Sequence, residues 1–230
     1  MRDYEFSLDF FFFDMKVEIF RFNIFEENTY LIYDESKECV IVDPGCYTKQ
    51  ERDFLTGSIA RPGLKPVLVA NTHCHADHIL GVGFLKDLYG IPFAANAADA
   101  FLLRDAPKFA SAFGWDVPGD ISIDLPCLDG TELRFGNSVL KCAFTPGHTP
   151  GGQVIYSESD KFMLSGDTIF RGTIGRTDLE GGNLDQLMAS IHNVVLRFDS
   201  LYTILPGHGD KTSVGEEAGK NPFLGFDDEN

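Results

Sequence analysis

The stretch PVLVANTHCHADH, residues 66–78, sets an apolar run directly against a cluster of imidazoles and a carboxylate. No charge interrupts residues 66–71, so they read as a strand buried on both faces. Thr72 to His78 then puts His73, His75, Asp77 and His78 just past the strand's C-terminal end, where a loop can turn all four side chains inward. Side chains alternate along extended backbone, so His73 and His75 point one way and Cys74 the other. Cys74 therefore reads as packing, not as a thiolate ligand. Asp77 and His78 lie beyond the alternation and can face a neighbouring position, a layout that suits two metal ions.

Three further side chains of the same chemistry sit at strand ends beside glycine: His148 in TPGHTPGG, Asp167 in SGDTIF and His208 in LPGHGD. Glycines 147, 166, 207 and 209 allow the sharp turns and close backbone approach that such loops require. Five of the six histidines thus fall in one expected site. His192, the sixth, follows Met188 by four residues and reads as a helix-flank residue.

Outward from this motif, β-like runs alternate with amphipathic segments, with Gly, Pro and Asp at the joints. KVEIFRF (16–22), TYLIY (29–33) and CVIVD (39–43) precede a helix predicted over 48–59, and ILGVGFLKDLYG (79–90) predicts a helix after the motif. Residues 97–128 hold Pro107, Gly114, Trp115 and Pro118 and are expected to wander over the surface. There Trp115 and nearby phenylalanines offer a cap for a substrate groove, although packing explains them as well. TELRF (131–135), VLKCAF (139–144), QVIYS (153–157), KFMLS (161–165) and YTIL (202–205) form a second group of strands, with a helix predicted over 184–198. Two strand groups, each with helices, predict an α/β fold: a four-layer αββα sandwich of two mixed sheets face to face with helices outside.

The 230 residues suit one large domain, expected over 15–230. Residues 1–14 read as an N-terminal appendage, because a strand pattern begins immediately after Met15, a candidate start. The net charge of −16 argues against a nucleic-acid partner or an anionic membrane surface. A small-molecule substrate is expected instead. The five cysteines show no CxxC spacing and read as reduced thiols of a cytoplasmic protein.

The order of these residues resembles the metallo-β-lactamase superfamily, whose HxHxDH motif, later His, bridging Asp and final His match His73, His75, Asp77, His78, His148, Asp167 and His208. The resemblance implies a first metal on His73, His75 and His148, a second on Asp77, His78 and His208, and Asp167 bridging them. Zinc is the expected ion, with iron or manganese as alternatives. The DPG at 43–45 is similar to a family motif, which makes Asp43 a candidate to orient a ligand histidine through its other ring nitrogen. FRGTIGRTDL (170–179) and GEEAGKNPFL (215–224) resemble a short bacterial branch of glyoxalase II-like (hydroxyacylglutathione) hydrolases. In this sequence only residues 209–230 follow His208, so the helical glutathione-binding domain of full-length glyoxalase II is not expected.

Two ions would lower the pKa of a shared water from about 15.7 towards neutrality, and Asp77 and Asp167 would position the resulting hydroxide. A thiolate, with a thiol pKa of about 8.5, leaves without the general acid that an amine needs. Chemistry and resemblance together favour a thioester, which the resemblance implies to be of the S-lactoylglutathione type, with Arg171 and Arg176 as candidates for a substrate carboxylate. The strongest alternative is a mononuclear-iron persulfide dioxygenase, which shares all seven positions and a segment like Gly175 to Asp178. A β-lactamase fits less well, because the bridging position in those enzymes is usually not Asp. A non-catalytic metal module fits less well still, since structural zinc sites are closed by four protein ligands.

Overall fold

The computed structural model describes residues 6–9, 14–115, 117 and 121–225, and their strands pair into two mixed sheets and one small hairpin. The first sheet runs in sequence order through β1 (Phe6–Asp9), β2 (Lys16–Phe22), β3 (Glu27–Tyr33), β4 (Glu38–Val42), β5 (Lys65–Ala70), β6 (Phe93–Ala95) and β7 (Leu125–Pro126). Its first four strands are antiparallel and its last four parallel. Helices α1 (Lys49–Ala60), α2 (Ala76–Ile79), α3 (Val82–Tyr89) and α4 (Ala100–Ser111) lie between the parallel strands. The second sheet contains β8 (Glu132–Phe135), β9 (Ser138–Phe144), β10 (Gln153–Ser157) and β11 (Phe162–Gly166). The hairpin β12 (Ile169–Phe170) and β13 (Thr173–Ile174) and helix α5 (Leu184–Asn193) come next. The second sheet closes with β14 (Thr203–Pro206) and β15 (Thr212–Ser213), before α6 (Val214–Lys220).

Alternation along single strands builds the layers. Tyr30 and Ile32 of β3, and Val40 and Val42 of β4, pack with Leu140, Ile155, Leu164 and Leu205 of the other sheet. Their neighbours Leu31, Tyr33, Cys39 and Ile41 pack with Leu55, Ile59, Leu85 and Leu103 of the helices. The second sheet does the same, with Met163 and Ile204 against Leu187, Ile191 and Val214. The result is the four-layer αββα sandwich, and each buried Leu, Ile or Val in it contributes about 1.5–3 kcal/mol.

Several elements depart from the sequence reading. Residues 97–111 form a 3-10 turn and α4, whose Leu103, Ala106 and Ala110 lie on one buried face. That burial outweighs the interior Pro107, which costs a helix about 3 kcal/mol. The helix expected over 184–198 stops at Asn193 and continues as a 3-10 turn over Val195–Arg197, with Leu184 exposed. Gly81 separates α2 from α3, and Leu88 is exposed. In β5 only Leu68 to Ala70 are buried, so the strand is covered at its C-terminal end, where the motif loop begins. Residues 6–9 pair with β2, while the rest of the expected appendage, apart from Asp14, lies outside the described residues.

The sheets are tied together at the loop end by buried polar groups. Asn28 Nδ2 donates to the carbonyls of Pro206 and Gly209, both at 2.9 Å, and Tyr30 Oη donates to the Pro206 carbonyl at 2.6 Å. The Asn28 amide also donates to the Gly207 carbonyl at 2.8 Å, which extends β3 onto the segment carrying His208. Leaving such carbonyls without partners costs about 1–3 kcal/mol each. Asn28→Ala takes its partner from the Gly209 carbonyl while Tyr30 still donates to Pro206, and is therefore expected to lower unfolding stability by about 1–3 kcal/mol, read as a reduced urea midpoint with unchanged m-value.

Candidate metal centre

All seven sequence-predicted ligands converge at the C-terminal ends of β5, β11 and β14 and on the loop after β9. One ligand atom from each of His73, His75 and His148 lies within 4.8 Å of the others, and the same holds for Asp77, His78 and His208. Asp167 stands between the two groups: Oδ1 is 3.5 Å from His78 Nε2, and Oδ2 is 3.5 Å from His148 Nε2 and 3.7 Å from His208 Nε2. Gly207 permits this convergence, because a Cβ there would collide with the Asp167 carboxylate and lie 2.8 Å from His78 Cε1. Gly166, at φ 48°, carries the turn into Asp167, and a Cβ there would strike the Thr72 side chain.

The outer ring nitrogens are fixed by hydrogen bonds, which aims the inner ones. His148 Nδ1 donates to the Arg176 carbonyl at 2.8 Å, and His208 Nδ1 to the Phe25 carbonyl at 3.0 Å. His73 Nδ1 lies 3.2 Å from Thr72 Oγ1, which itself donates to Asp43 Oδ2 at 2.6 Å. Asp43 Oδ2 is also 3.4 Å from His78 Nδ1, so one carboxylate braces a histidine of each group. His73 Nε2, His78 Nδ1 and Asp167 Oδ1 are buried without a hydrogen-bond partner. His75 Nδ1 and His148 Nε2 face each other at 2.8 Å, and His78 Nε2 and His208 Nε2 at 3.3 Å. Convergent nitrogen and carboxylate lone pairs with no internal donor fit divalent cations of the zinc and iron type.

The sequence reading missed the groups that hold the loops. Asp99 is fully buried and accepts from the Cys74 amide at 3.0 Å, Thr149 Oγ1 at 2.9 Å and the Gly151 amide at 2.6 Å, joining the motif loop to the His148 loop. Asn71 Nδ2 donates to the carbonyls of His73 and His78 at 3.1 and 2.9 Å, closing the motif loop on itself. Asn23 Nδ2 donates to the Asp77 carbonyl at 3.1 Å. Glu27, also fully buried, places Oε1 3.9 Å from His78 Nδ1, and burial pushes its carboxyl well above the usual carboxylate range. A carboxylate and an amide, Glu27 and Asn28, at the mouth of an apolar strand were the available signal for these last contacts.

Arg171 and Arg176 expose their side chains. Arg171 lies 3.9 Å from Glu216, and Arg176 grips Asp178 through two bonds of 2.7 Å. Cys74 packs in the helix-side core, His192 is exposed on α5, and Trp115 is buried. The five cysteines are buried and free. Among the described residues no helix is long and apolar enough to cross a membrane.

Protonation separates the two groups. Burial and neighbouring histidines hold His73 well below its ordinary value, and burial and His148 bring His75 down to about 4, so both are neutral at pH 7. Burial also opposes charge on His78 and His208, but the adjacent Asp77 and Asp167 outweigh it and raise both. A raised histidine must lose a proton before it can ligate, so protons compete at that position below its raised pKa. Dialysis of metal-loaded protein from pH 8 towards pH 5 is expected to release the ion at Asp77, His78 and His208 first. The ion at His73, His75 and His148 should remain until pH approaches 4, and elemental analysis of the retained metal reads the order.

Comparison with known proteins agrees with this geometry. The sequence profile described as "Metallo-beta-lactamase superfamily" matches residues 23–208. Hydroxyacylglutathione hydrolase GloC of Haemophilus influenzae is 33% identical over 215 residues, covering 91% of this chain and 98% of that protein. BLEG-1, a B3 metallo-beta-lactamase, superposes with a TM-score of 0.82 at 32% identity, covering 91% of this chain and 99% of that one. TTHA1623 in a di-iron-bound form gives 0.80 at 32% identity, covering 89% and 98%. A profile match across the span from the β2–β3 turn to His208, joined to the αββα sandwich, shows that the chain belongs to the metallo-beta-lactamase superfamily.

Proposed function

We propose that this protein is a hydrolase of thioesters working with two divalent metal ions, the first held by His73, His75 and His148 and the second by Asp77, His78 and His208. The observation that carries the reading is the Asp167 carboxylate, whose two oxygens each stand 3.5 Å from a histidine of a different group. Divalent ions bound there would acidify a water and polarise a carbonyl.

The chain's own residues would supply the rest. Neighbouring His78 and His208 overcome the effect of burial and hold Asp77 well below the usual carboxylate range, so it stays an acceptor throughout the neutral range. Asp77 and Asp167 would accept hydrogen bonds from the attacking water and orient its lone pair towards the substrate carbonyl. The outer nitrogens of His148 and His208 are committed to backbone carbonyls and that of His73 to Thr72, while His78 Nδ1 stands 3.4 Å from Asp43. His73, His148 and His208, each also a predicted ligand through its inner nitrogen, would have no nitrogen left to protonate a leaving group. A thiolate departs without that help. Water adds its oxygen to the acyl carbon, the carbon–sulfur bond breaks, and carboxylate and thiol are released.

The likeness to GloC makes S-lactoylglutathione the first thioester to try, and the likeness to BLEG-1 makes β-lactam hydrolysis the second reading. Protein loaded with zinc or iron, assayed against S-lactoylglutathione, a simple acetyl thioester, a chromogenic β-lactam and glutathione persulfide with oxygen monitoring, separates the classes. Thioester cleavage is expected, with kcat lowered about a hundredfold or more in Asp167→Ala. The proposal fails if the protein carrying two ions leaves both thioesters intact.

A further inference from the structure

Asp99 stands at the head of α4, fully buried, and its carboxylate meets donors from both loops that carry the first group of ligands. Oδ2 accepts from the Cys74 amide at 3.0 Å and from Thr149 Oγ1 at 2.9 Å, and Oδ1 accepts from the Gly151 amide at 2.6 Å. Three donors converging on one group call for an acceptor-only partner, which an ionised carboxylate is. Glycine at 151 permits the approach, since a Cβ there would lie 2.6 Å from Asp99 Cγ. Cys74 stands between His73 and His75, and Thr149 directly follows His148. One carboxylate therefore holds the chain beside all three ligands of the first group.

The second group is held by other residues. Asn23 Nδ2 donates to the Asp77 carbonyl, and Asn28 Nδ2 to the carbonyls of Pro206 and Gly209 around the His208 turn. Asp43 and Asn71 reach both groups, so neither can act on one ion alone. The three bonds of Asp99 go to Cys74, Thr149 and Gly151, none of which adjoins Asp77, His78 or His208. In the first group, His75 Nδ1 and His148 Nε2 face each other at 2.8 Å from separate loops. A zinc–nitrogen bond of about 2.0–2.1 Å tolerates a slip of only about 0.5 Å between such loops.

We propose that Asp99 is a positioning residue for one ion of the pair: it sets the affinity of the site at His73, His75 and His148 and leaves the site at Asp77, His78 and His208 unchanged. The proposal rests on the two-ion reading and is independent of which substrate the centre cleaves. Asp99→Asn keeps the side-chain shape but sets an NH2 group against at least one of the three donors. Loss of a group that orients ligands from behind lowers metal affinity by about 10–100-fold, here expected at the first site, with a change below about threefold at the second.

The test titrates zinc into the metal-free full chain against a chromophoric chelator, with the ring nitrogens of 15N-labelled histidines reporting by NMR which site fills. Wild type is compared with Asp99→Asn and with Asn28→Ala, which loosens the fold at the other group. Selective loss at His73, His75 and His148 in Asp99→Asn, absent in Asn28→Ala, is the expected result. An equal loss at both sites, no loss at either, or the same loss at the first site in Asn28→Ala would overturn the proposal. Should Asp99→Asn fail to fold, Thr149→Val, which removes one of the three bonds, decides by the same criterion at a smaller size of effect. If wild type fills the first site alone, the two-ion reading falls while Asp99 is still judged by the loss at that site; if it fills neither, both fall.

Discussion

The centre exists because lone pairs that have lost water must find another partner. Three of the five convergent imidazoles have one ring nitrogen occupied by a carbonyl or a hydroxyl, and those bonds aim the other nitrogen inward. What remains is a set of acceptors facing acceptors, including the buried His73 Nε2 and Asp167 Oδ1. Such a set is costly in a low-dielectric interior without a cation to collect it. Asp43 is central to this arrangement, since it steadies His73 through Thr72 and sets its carboxylate 3.4 Å from His78 Nδ1. Much of the surrounding structure keeps these few atoms pointed: Asp99 and Asn71 hold the loops, and Asn28 and Tyr30 lock the two sheets at the His208 turn.

The sequence was legible where chemistry and periodicity were dense. THCHADH and three glycine-flanked positions identified side chains that converge, and apolar β-rich runs located β3 and β4. It failed where a local rule was overridden. Pro107 disguised α4, a helix formed because Leu103, Ala106 and Ala110 bury one face. Asp99 was lost with it, although a carboxylate at the start of that segment proves to clasp two ligand loops. Arg171 and Arg176 were singled out for their charge, but charge alone says nothing about partners two residues or one helix away. Glu27 and Asn28 lay outside the expected strand, which began at Thr29, so their burial had no signal in the alternation.

The arrangement of ions is the central claim, and anomalous diffraction from crystals of the metal-loaded protein tests it most directly. Two peaks are predicted: one about 2.0–2.2 Å from nitrogens of His73, His75 and His148, the other at that distance from Asp77, His78 and His208, with Asp167 reaching both. A peak instead at Asp43, His73 and His78, the third group whose ligand atoms lie within 4.8 Å of one another, would contradict the account.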